Sequence, residues 1–224
     1  MSKEEKNARG EVSPAVIRRL PRYFRYLRVL IRAGKTRVSS GELSAMMHVT
    51  ASQIRQDLNC FGGFGQQGYG YNVGYLYEKI RGILGVNEGY HAIIIGAGNL
   101  GRALVRNPMF TKRGVKVVGM FDVDEAQIGR MIAGVEVYDS QDLSSFCREN
   151  RVDIAVLTLP KENAADAAKE LTELGVPALW NFTGKELDRL YPQSVVENVH
   201  IGDSLMTLCY ELRTKEKTAR EAEF

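Results

Sequence analysis

Cysteine and histidine are scarce in this chain of 224 residues, with three of each. Cys60, Cys147 and Cys209 are too few and too far apart for a disulfide framework, and they form no Cys-x-x-Cys pair, so no zinc or other metal site is expected. Each is expected to be a small packing residue, the usual place of a free cysteine. No apolar run reaches the roughly 18 residues of a membrane span, and the first ten residues are charged rather than signal-like. A cytoplasmic protein with no membrane partner is expected. An apolar content of 44% and a charged content of 25% describe an ordinary globular chain, long enough for one large or two modest domains.

The net charge of +3 conceals a division. Residues 1–85 carry fourteen Lys or Arg against six Asp or Glu, a net +8, while residues 86–224 carry sixteen against twenty-one, a net −5. A basic module joined to an acidic one points to a polyanionic partner for the first alone.

The most informative stretch is 91–122. The run His91-Ala92-Ile93-Ile94-Ile95 leads into Gly96-Ala97-Gly98-Asn99-Leu100-Gly101, then an apolar helix, then a second apolar strand ending at Asp122. A buried strand feeding a Gly-x-Gly-x-x-Gly turn opens a dinucleotide-binding βαβ unit. Gly96 permits the tight turn, Gly98 lets the backbone approach a pyrophosphate, and Gly101 lets the helix pack close. The helix start favours an anion. Asp122, twenty-one residues after Gly101, stands where a carboxylate accepts from the adenosine ribose. It would repel a 2′-phosphate, and no arginine follows it before Arg130, so NAD(H) is favoured over NADP(H). A glycine-rich turn in another doubly wound fold is the plainer alternative.

Residues 1–12 look like a mobile charged leader. Ser13-Pro14 offers a cap and a preset first turn. Over 15–31, Val16, Leu20, Tyr23 or Phe24, Leu27 and Leu30 or Ile31 recur at helical spacing among arginines, with Pro21 expected to bend or divide the helix. The arginines read equally as a solvated face or as polyanion contacts. A second helix follows over 42–48, and a third begins at Thr50 with Ile54, Leu58 and Phe61 on its buried face. Its other face presents Ser52, Gln53, Arg55, Gln56 and Asn59, side chains suited to base edges and phosphates, which makes a helix-turn-helix. Directly after come five glycines among four aromatics over 61–71, the composition of a β-wing bearing Gln66, Gln67 and Tyr69. A flexible linker is the alternative, although the segment leads back into an apolar helix over 73–84.

Residues 85–90 form the interdomain joint. Strands at 135–138, 152–160, 176–182 and 195–201 alternate with helices at 143–148 and 162–174, and no other segment looks like a spare strand. Such alternation indicates a parallel sheet covered on both faces. Ligands sit at the carboxyl ends of these strands, which nominates Thr158, Leu159, Pro160 and Asn181. Asp203 is placed to cap a final helix whose stripe Leu205, Leu208, Cys209 and Leu212 docks either on its own domain or on a partner subunit, before a charged tail over 213–224.

Taken together, Pro14 to Leu30, Val49 to Leu58, the wing, Gly96 to Gly101, Phe121-Asp122-Val123-Asp124, Leu157 to Pro160, Asn181-Phe182 and Val196 to Val199 resemble the Rex family of redox-sensing transcriptional repressors. The resemblance spans nearly the whole chain. It implies three parts: a winged-helix domain (1–85), a Rossmann-like doubly wound domain binding NADH and NAD+ (86–202) that includes Val123, and a helix exchanged between subunits (203–224). It further implies a homodimer on a palindromic double-stranded operator, which is released when NADH binds. The DNA-contacting set would then be Arg18, Ser52, Gln53, Arg55, Gln56, Asn59, Gln66, Gln67 and Tyr69. Arg19, Asn107, His200, Ile201 and Asp203 would form the interdomain switch. This chain has Gln56, His200 and Asn107 where the family usually has lysine, aspartate and, in some members, tyrosine.

Two other readings use the same motif. An NAD-dependent dehydrogenase needs a proton donor beside the nicotinamide and a domain to enclose a substrate. Only His48, His91 and His200 are available as histidines, and no second domain is large enough. A CoA-binding protein of the same fold makes less use of Asp122.

Overall fold

The computed structural model describes residues 12–62, 65, 66 and 69–222, with backbone alone for 65, 66, 217 and 219–222. The expected leader lies, through residue 11, outside the described residues. The chain divides after Val86 into two compact units.

The first unit opens with α1, Pro14–Arg32. Ser13 takes the N-cap position, but its side chain makes no capping hydrogen bond. Pro21 lies inside the helix without dividing it. Proline leaves the carbonyl four residues back without a partner. Here that residue is Ile17, itself 41% exposed, so water can satisfy the oxygen. Val16, Leu20, Tyr23, Leu27 and Leu30 form the buried stripe, each worth roughly 1.5 to 3 kcal/mol of burial.

β1 (Arg37–Val38) leads to α2 (Ser40–Met47), which is fixed by a reciprocal capping box between Ser39 and Glu42. Hydrogen bonds from the Lys35 ammonium and the Ser39 backbone N–H hold the Glu42 carboxyl at about 2. His48, at φ 51°, turns the chain, and Thr50 caps α3 (Ala51–Asn59) by accepting from the Gln53 N–H at 3.1 Å. β2 (Gly65–Gln66) and β3 (Gly70–Asn72) complete a small antiparallel sheet of order β1-β3-β2, and α4 (Val73–Ile83) closes the core. Gly70 has φ +67°, and a Cβ there would lie 2.6 Å from the Val38 carbonyl oxygen, so β3 begins on a glycine for a steric reason.

The second unit builds a sheet from β4 (Tyr90–Ile95), β5 (Val115–Asp122), β6 (Met131–Ile132), β7 (Val135–Asp139), β8 (Ile154–Leu157), β9 (Ala178–Asn181) and β10 (Val195–Asn198). Their order is β10-β9-β8-β4-β5-β7-β6, with every pairing parallel except β6 with β7. β6 was not expected; two residues are too short for a period-2 signal. The strands anticipated over 152–160 and 195–201 stop at Leu157 and Asn198.

One face of the sheet packs on α6 (Leu143–Glu149) and α7 (Ala164–Glu173) through Leu143, Phe146, Ala168 and Leu171. The other packs on α5 (Asn99–Arg106) through Leu104 and Val105. This is the doubly wound architecture that alternating apolar strands require.

The last helix, α8, runs Ile201–Ala222, so the expected charged tail is helical through Ala222. Asp203 sits in its first turn rather than at its cap. Leu205, Met206, Leu208, Tyr210 and Leu212 are 57–71% exposed, so this stripe is not docked on its own domain. The cysteines divide likewise: Cys147 is partly buried against the core, while Cys60 and Cys209 are exposed, contrary to expectation. Among the described residues no helix is long and apolar enough to cross a membrane, and no group of three or more His, Cys, Asp or Glu could hold a metal.

Candidate functional site

The sheet is built outward from β4 through β5 to β7, then resumes at β8 on the other side of β4. The chain connections diverge above β4 and β8, and this is where an open α/β sheet leaves a crevice. A cleft of about 420 Å³ opens there, lined by Gly96, Gly98, Asp122, Val123, Thr158, Leu159 and Pro160 among others.

The three motif glycines differ in why they are glycine. A Cβ at Gly96 would lie 2.7 Å from the Thr158 carbonyl oxygen, and one at Gly101 would lie 2.1 Å from the Gly96 carbonyl oxygen. Gly96 also has φ +99°. At Gly98 a Cβ would meet nothing within 4 Å, and φ −69° suits any residue. The protein's own packing therefore requires Gly96 and Gly101 but not Gly98. The open space over Gly98 suits a group that approaches the backbone from outside, which is the need a pyrophosphate has. Gly98 is also the cap residue of α5 and supplies no side-chain hydrogen bond, so the first-turn N–H groups are left for an anion.

Asp122 ends β5 and binds the turn directly. Its Oδ2 accepts from the Ala97 N–H at 2.6 Å, and its Oδ1 accepts from the Val123 and Asp124 N–H groups at 2.8 and 3.0 Å. A carboxylate offers about four acceptor positions, so these three donors leave about one for a ribose hydroxyl. Thr158 locks the turn from β8: its hydroxyl donates to the carbonyls of Ile95 at 3.0 Å and Gly96 at 2.8 Å.

Asn181 has a different role from the one assigned from sequence. It is 1% exposed and does not line the cleft. Its amide donates to the Lys185 carbonyl and Asn198 Oδ1, and its oxygen accepts from the Thr183 N–H and hydroxyl. With every position used it organises the 181–185 loop and has nothing left for a ligand. Ala97 is buried, and Asn99 accepts from Arg102, while Leu100 is half-buried. Ser140, Leu143, Asn163 and Asp166 line the cleft and were missed. Ser140 and Asn163 follow the ends of β7 and β8, so the rule that ligands gather at strand ends could have found them.

Two family descriptions match the chain: "Putative DNA-binding protein N-terminus" over residues 11–59, and "CoA binding domain" over residues 87–184. The redox-sensing transcriptional repressor Rex of Thermoanaerobacter pseudethanolicus is 50% identical over 217 residues, covering 96% of this chain and 94% of the relative. The chain belongs to the Rex family of redox-sensing transcriptional repressors.

The Rex of Clostridium perfringens is 47% identical over 202 residues, covering 90% of this chain and 94% of its own. Among solved structures, the Rex-family repressor RSP in complex with β-NAD+ and operator DNA matches with TM-score 0.86 at 48% identity, covering 94% of this chain and 97% of that one. RSP in complex with β-NADH matches with TM-score 0.87 at 45% identity, covering 94% and 99%. These similarities are to repressors rather than enzymes, which decides against the dehydrogenase reading.

In the first unit the two faces of α3 are sharply divided. Ser52, Arg55, Gln56 and Asn59 are exposed, as is Arg18 on α1, while Ile54 and Leu58 are fully buried. Arg55 is aimed by a 3.1 Å bond to Ser40 Oγ. Tyr69 is 68% exposed, with the Arg37 guanidinium 5.7 Å from its ring centroid. Gln67 lies outside the described residues, and only the backbone of Gln66 is given.

The residues assigned to the switch fall in both units, Arg19 in the first and Asn107, His200, Ile201 and Asp203 in the second. Arg19 is paired with buried Asp57 in its own unit, and Gln53 also donates to that carboxylate. Asn107 caps the turn after α5 by accepting from the Met109 N–H at 2.9 Å. His200 meets Glu186 at 2.8 Å. Ile201 is 62% exposed at the start of α8 and does not line the cleft.

Proposed function

We propose that this Rex-family chain is a homodimeric repressor that seats two α3 helices on a palindromic double-stranded operator and lets go when NADH occupies the cleft. One observation carries the reading: a winged helix with a polar exposed α3 is joined, in one chain, to a glycine turn whose middle glycine is free of any packing reason to be glycine. The relatives named above support the ligands, since RSP is described with β-NADH and, separately, with β-NAD+ and operator DNA. Gly96 to Gly101 and α5 would take the pyrophosphate, Asp122 with Val123 the adenosine ribose, and Leu159 and Pro160 the remainder of the dinucleotide. The cofactor does no chemistry here; it supplies a planar cation when oxidised and a neutral nonplanar ring when reduced.

The dimer reading rests on α8. A helix with five large apolar side chains mostly exposed has not found its partner surface in its own domain. Exchange onto a second subunit would bury that stripe, and action on DNA makes the cytoplasm its place. NADH can move the equilibrium only by its differential affinity for the operator-competent and incompetent dimers, and about 5.5 kcal/mol would be needed to carry it from 1:99 to 99:1.

Operator titrations at several NADH to NAD+ ratios test this directly. Weaker binding as the ratio rises is expected, and equal binding at every ratio refutes it. Thermal-shift profiling with NADH, NAD+ and CoA checks the ligand class, with stabilisation by the dinucleotides expected over CoA.

A further inference from the structure

A second recess of about 420 Å³ is lined by Arg102 and Arg106 of α5, by Gln127 and Arg130 of the turn before β6, and by Met131 and Ile132 of β6. It shares no residue with the nucleotide cleft. We propose that it binds a small phosphate-bearing anion, distinct from the dinucleotide.

The charge of this recess calls for such a ligand. Three guanidiniums line it and no carboxylate does. Arg102 is bonded to neutral amide oxygens, those of Asn99 at 2.6 Å and Gln127 at 3.2 Å. Among the described residues neither Arg106 nor Arg130 is in an ion pair. Gathering like charges without a counter-charge is unfavourable, and an anion reverses the sign of that term. Guanidinium forks match the oxygens of phosphate, which can take several of them at once.

The frame is fixed before any ligand arrives. The Arg130 N–H donates to the Gln127 carbonyl at 3.1 Å, and the Arg130 carbonyl accepts from the Val137 N–H at 2.9 Å. Ile132, 6% exposed, anchors the strand that follows. Arg102 and Arg106 stand four residues apart on α5 and so share one helix face. The walls thus come from a helix and a hydrogen-bonded turn rather than from free side chains alone, which lowers the ordering a ligand must impose.

The ligand could be free inorganic phosphate or a phosphomonoester on a small metabolite. The test is isothermal titration of the full chain, in chloride buffer, with inorganic phosphate and with a sugar phosphomonoester, against the double variant Arg106→Gln/Arg130→Gln. The variant's melting curve and its NADH titration serve as controls for the fold. One site per chain is expected, at least about tenfold weaker in the double variant, as the loss of charge-assisted hydrogen bonds predicts. The probe that binds more tightly identifies the source.

Absence of saturable binding by both probes, or equal affinity in the variant, overturns the proposal. So does a variant that loses operator affinity while phosphate fails to bind the parent, because the arginines would then belong to the duplex. Failure of the nucleotide reading would appear separately, as NADH binding to neither protein.

Discussion

Arg19 and Asp57 face each other as a two-point fork, with Nε on Oδ2 and Nη2 on Oδ1, both at 2.7 Å. The carboxylate is completely buried, and it also accepts from the Tyr23 hydroxyl and the Gln53 amide at 2.9 Å each. A single acidic side chain thus joins α1 to α3, the helix that presents the polar face.

Asp57→Ala is expected to destabilise the first unit by about 3 kcal/mol, since breaking a buried pair strands its partners, less what the partial exposure of Arg19 returns to water. Burial pushes the Asp57 carboxyl up, but hydrogen bonds from Arg19, Gln53 and Tyr23 outweigh it and hold the group below its ordinary range. The folded value being depressed, this stability is present above about pH 4, the unfolded carboxylate's range, and is lost as pH falls through the folded value. Acid unfolding followed by circular dichroism should therefore be less pH-dependent in Asp57→Asn than in the parent. Equal acid sensitivity of the two proteins would count against the assignment.

The glycine pair separates packing from ligand binding. Gly101→Ala would put a Cβ 2.1 Å from the Gly96 carbonyl oxygen, and overpacking of this kind costs about 1 to 3 kcal/mol or more. Gly98→Ala meets nothing, so its melting temperature should stay near that of the parent while NADH affinity falls at least about tenfold, roughly 1.4 kcal/mol. Fluorescence titration beside a melting curve reads both; a Gly98→Ala protein that binds NADH normally would remove the pyrophosphate from this turn.

At Asp122 one substitution should alter two properties. Asp122→Asn turns one acceptor oxygen into a donor facing backbone N–H groups, those of Ala97 or of Val123 and Asp124. NADH affinity should fall about tenfold, a typical loss when a charged acceptor goes. Discrimination against NADPH should shrink, because the repulsion of a 2′-phosphate is gone. Competition titrations with both cofactors measure the ratio, and an unchanged ratio would mean that Asp122 does not face the ribose.

The parts of the molecule that follow from periodicity were legible in the sequence, and those that depend on long-range pairing were not. Continuous apolar runs announced β4 and β5, and the 3.6-residue stripe announced α1. Asp57 escaped notice because a lone acid on an apolar face reads as a surface residue until Arg19, thirty-eight positions away, is brought against it. Asn181 was misread for the same reason: its carbonyl-end position suits a ligand, yet Thr183, Lys185 and Asn198 consume all its hydrogen bonds. Asp166, which also lines the cleft, lies inside α7, and no local motif marks where that helix begins.

The exposed stripe of α8 predicts a concentration-dependent assembly. Replacing Leu205, Leu208 and Leu212 together with glutamate removes apolar surface that is now 57–61% exposed in one chain, so it should cost the isolated subunit little. Sedimentation should return a dimer for the parent and a monomer for the variant, with operator affinity lost alongside. A variant that remains dimeric would place the subunit contact elsewhere.

Gln56 offers the sharpest test of how α3 is used. It is exposed on the same helix as Arg55, and a glutamine amide can bond both N6 and N7 of adenine, whereas the lysine usual in the family is a point charge suited to guanine acceptors or phosphate. If Gln56 reads a base, Gln56→Ala should cost about 1 to 3 kcal/mol on an operator with adenine at the contacted position and relax the preference there, with the salt dependence unchanged. Gln56→Lys should shift that preference and steepen the salt dependence by about one phosphate contact. Binding-site selection at two salt concentrations distinguishes the cases. A uniform loss across all sequences would mean that Gln56 touches only the backbone, leaving Arg55 and Asn59 to carry the discrimination.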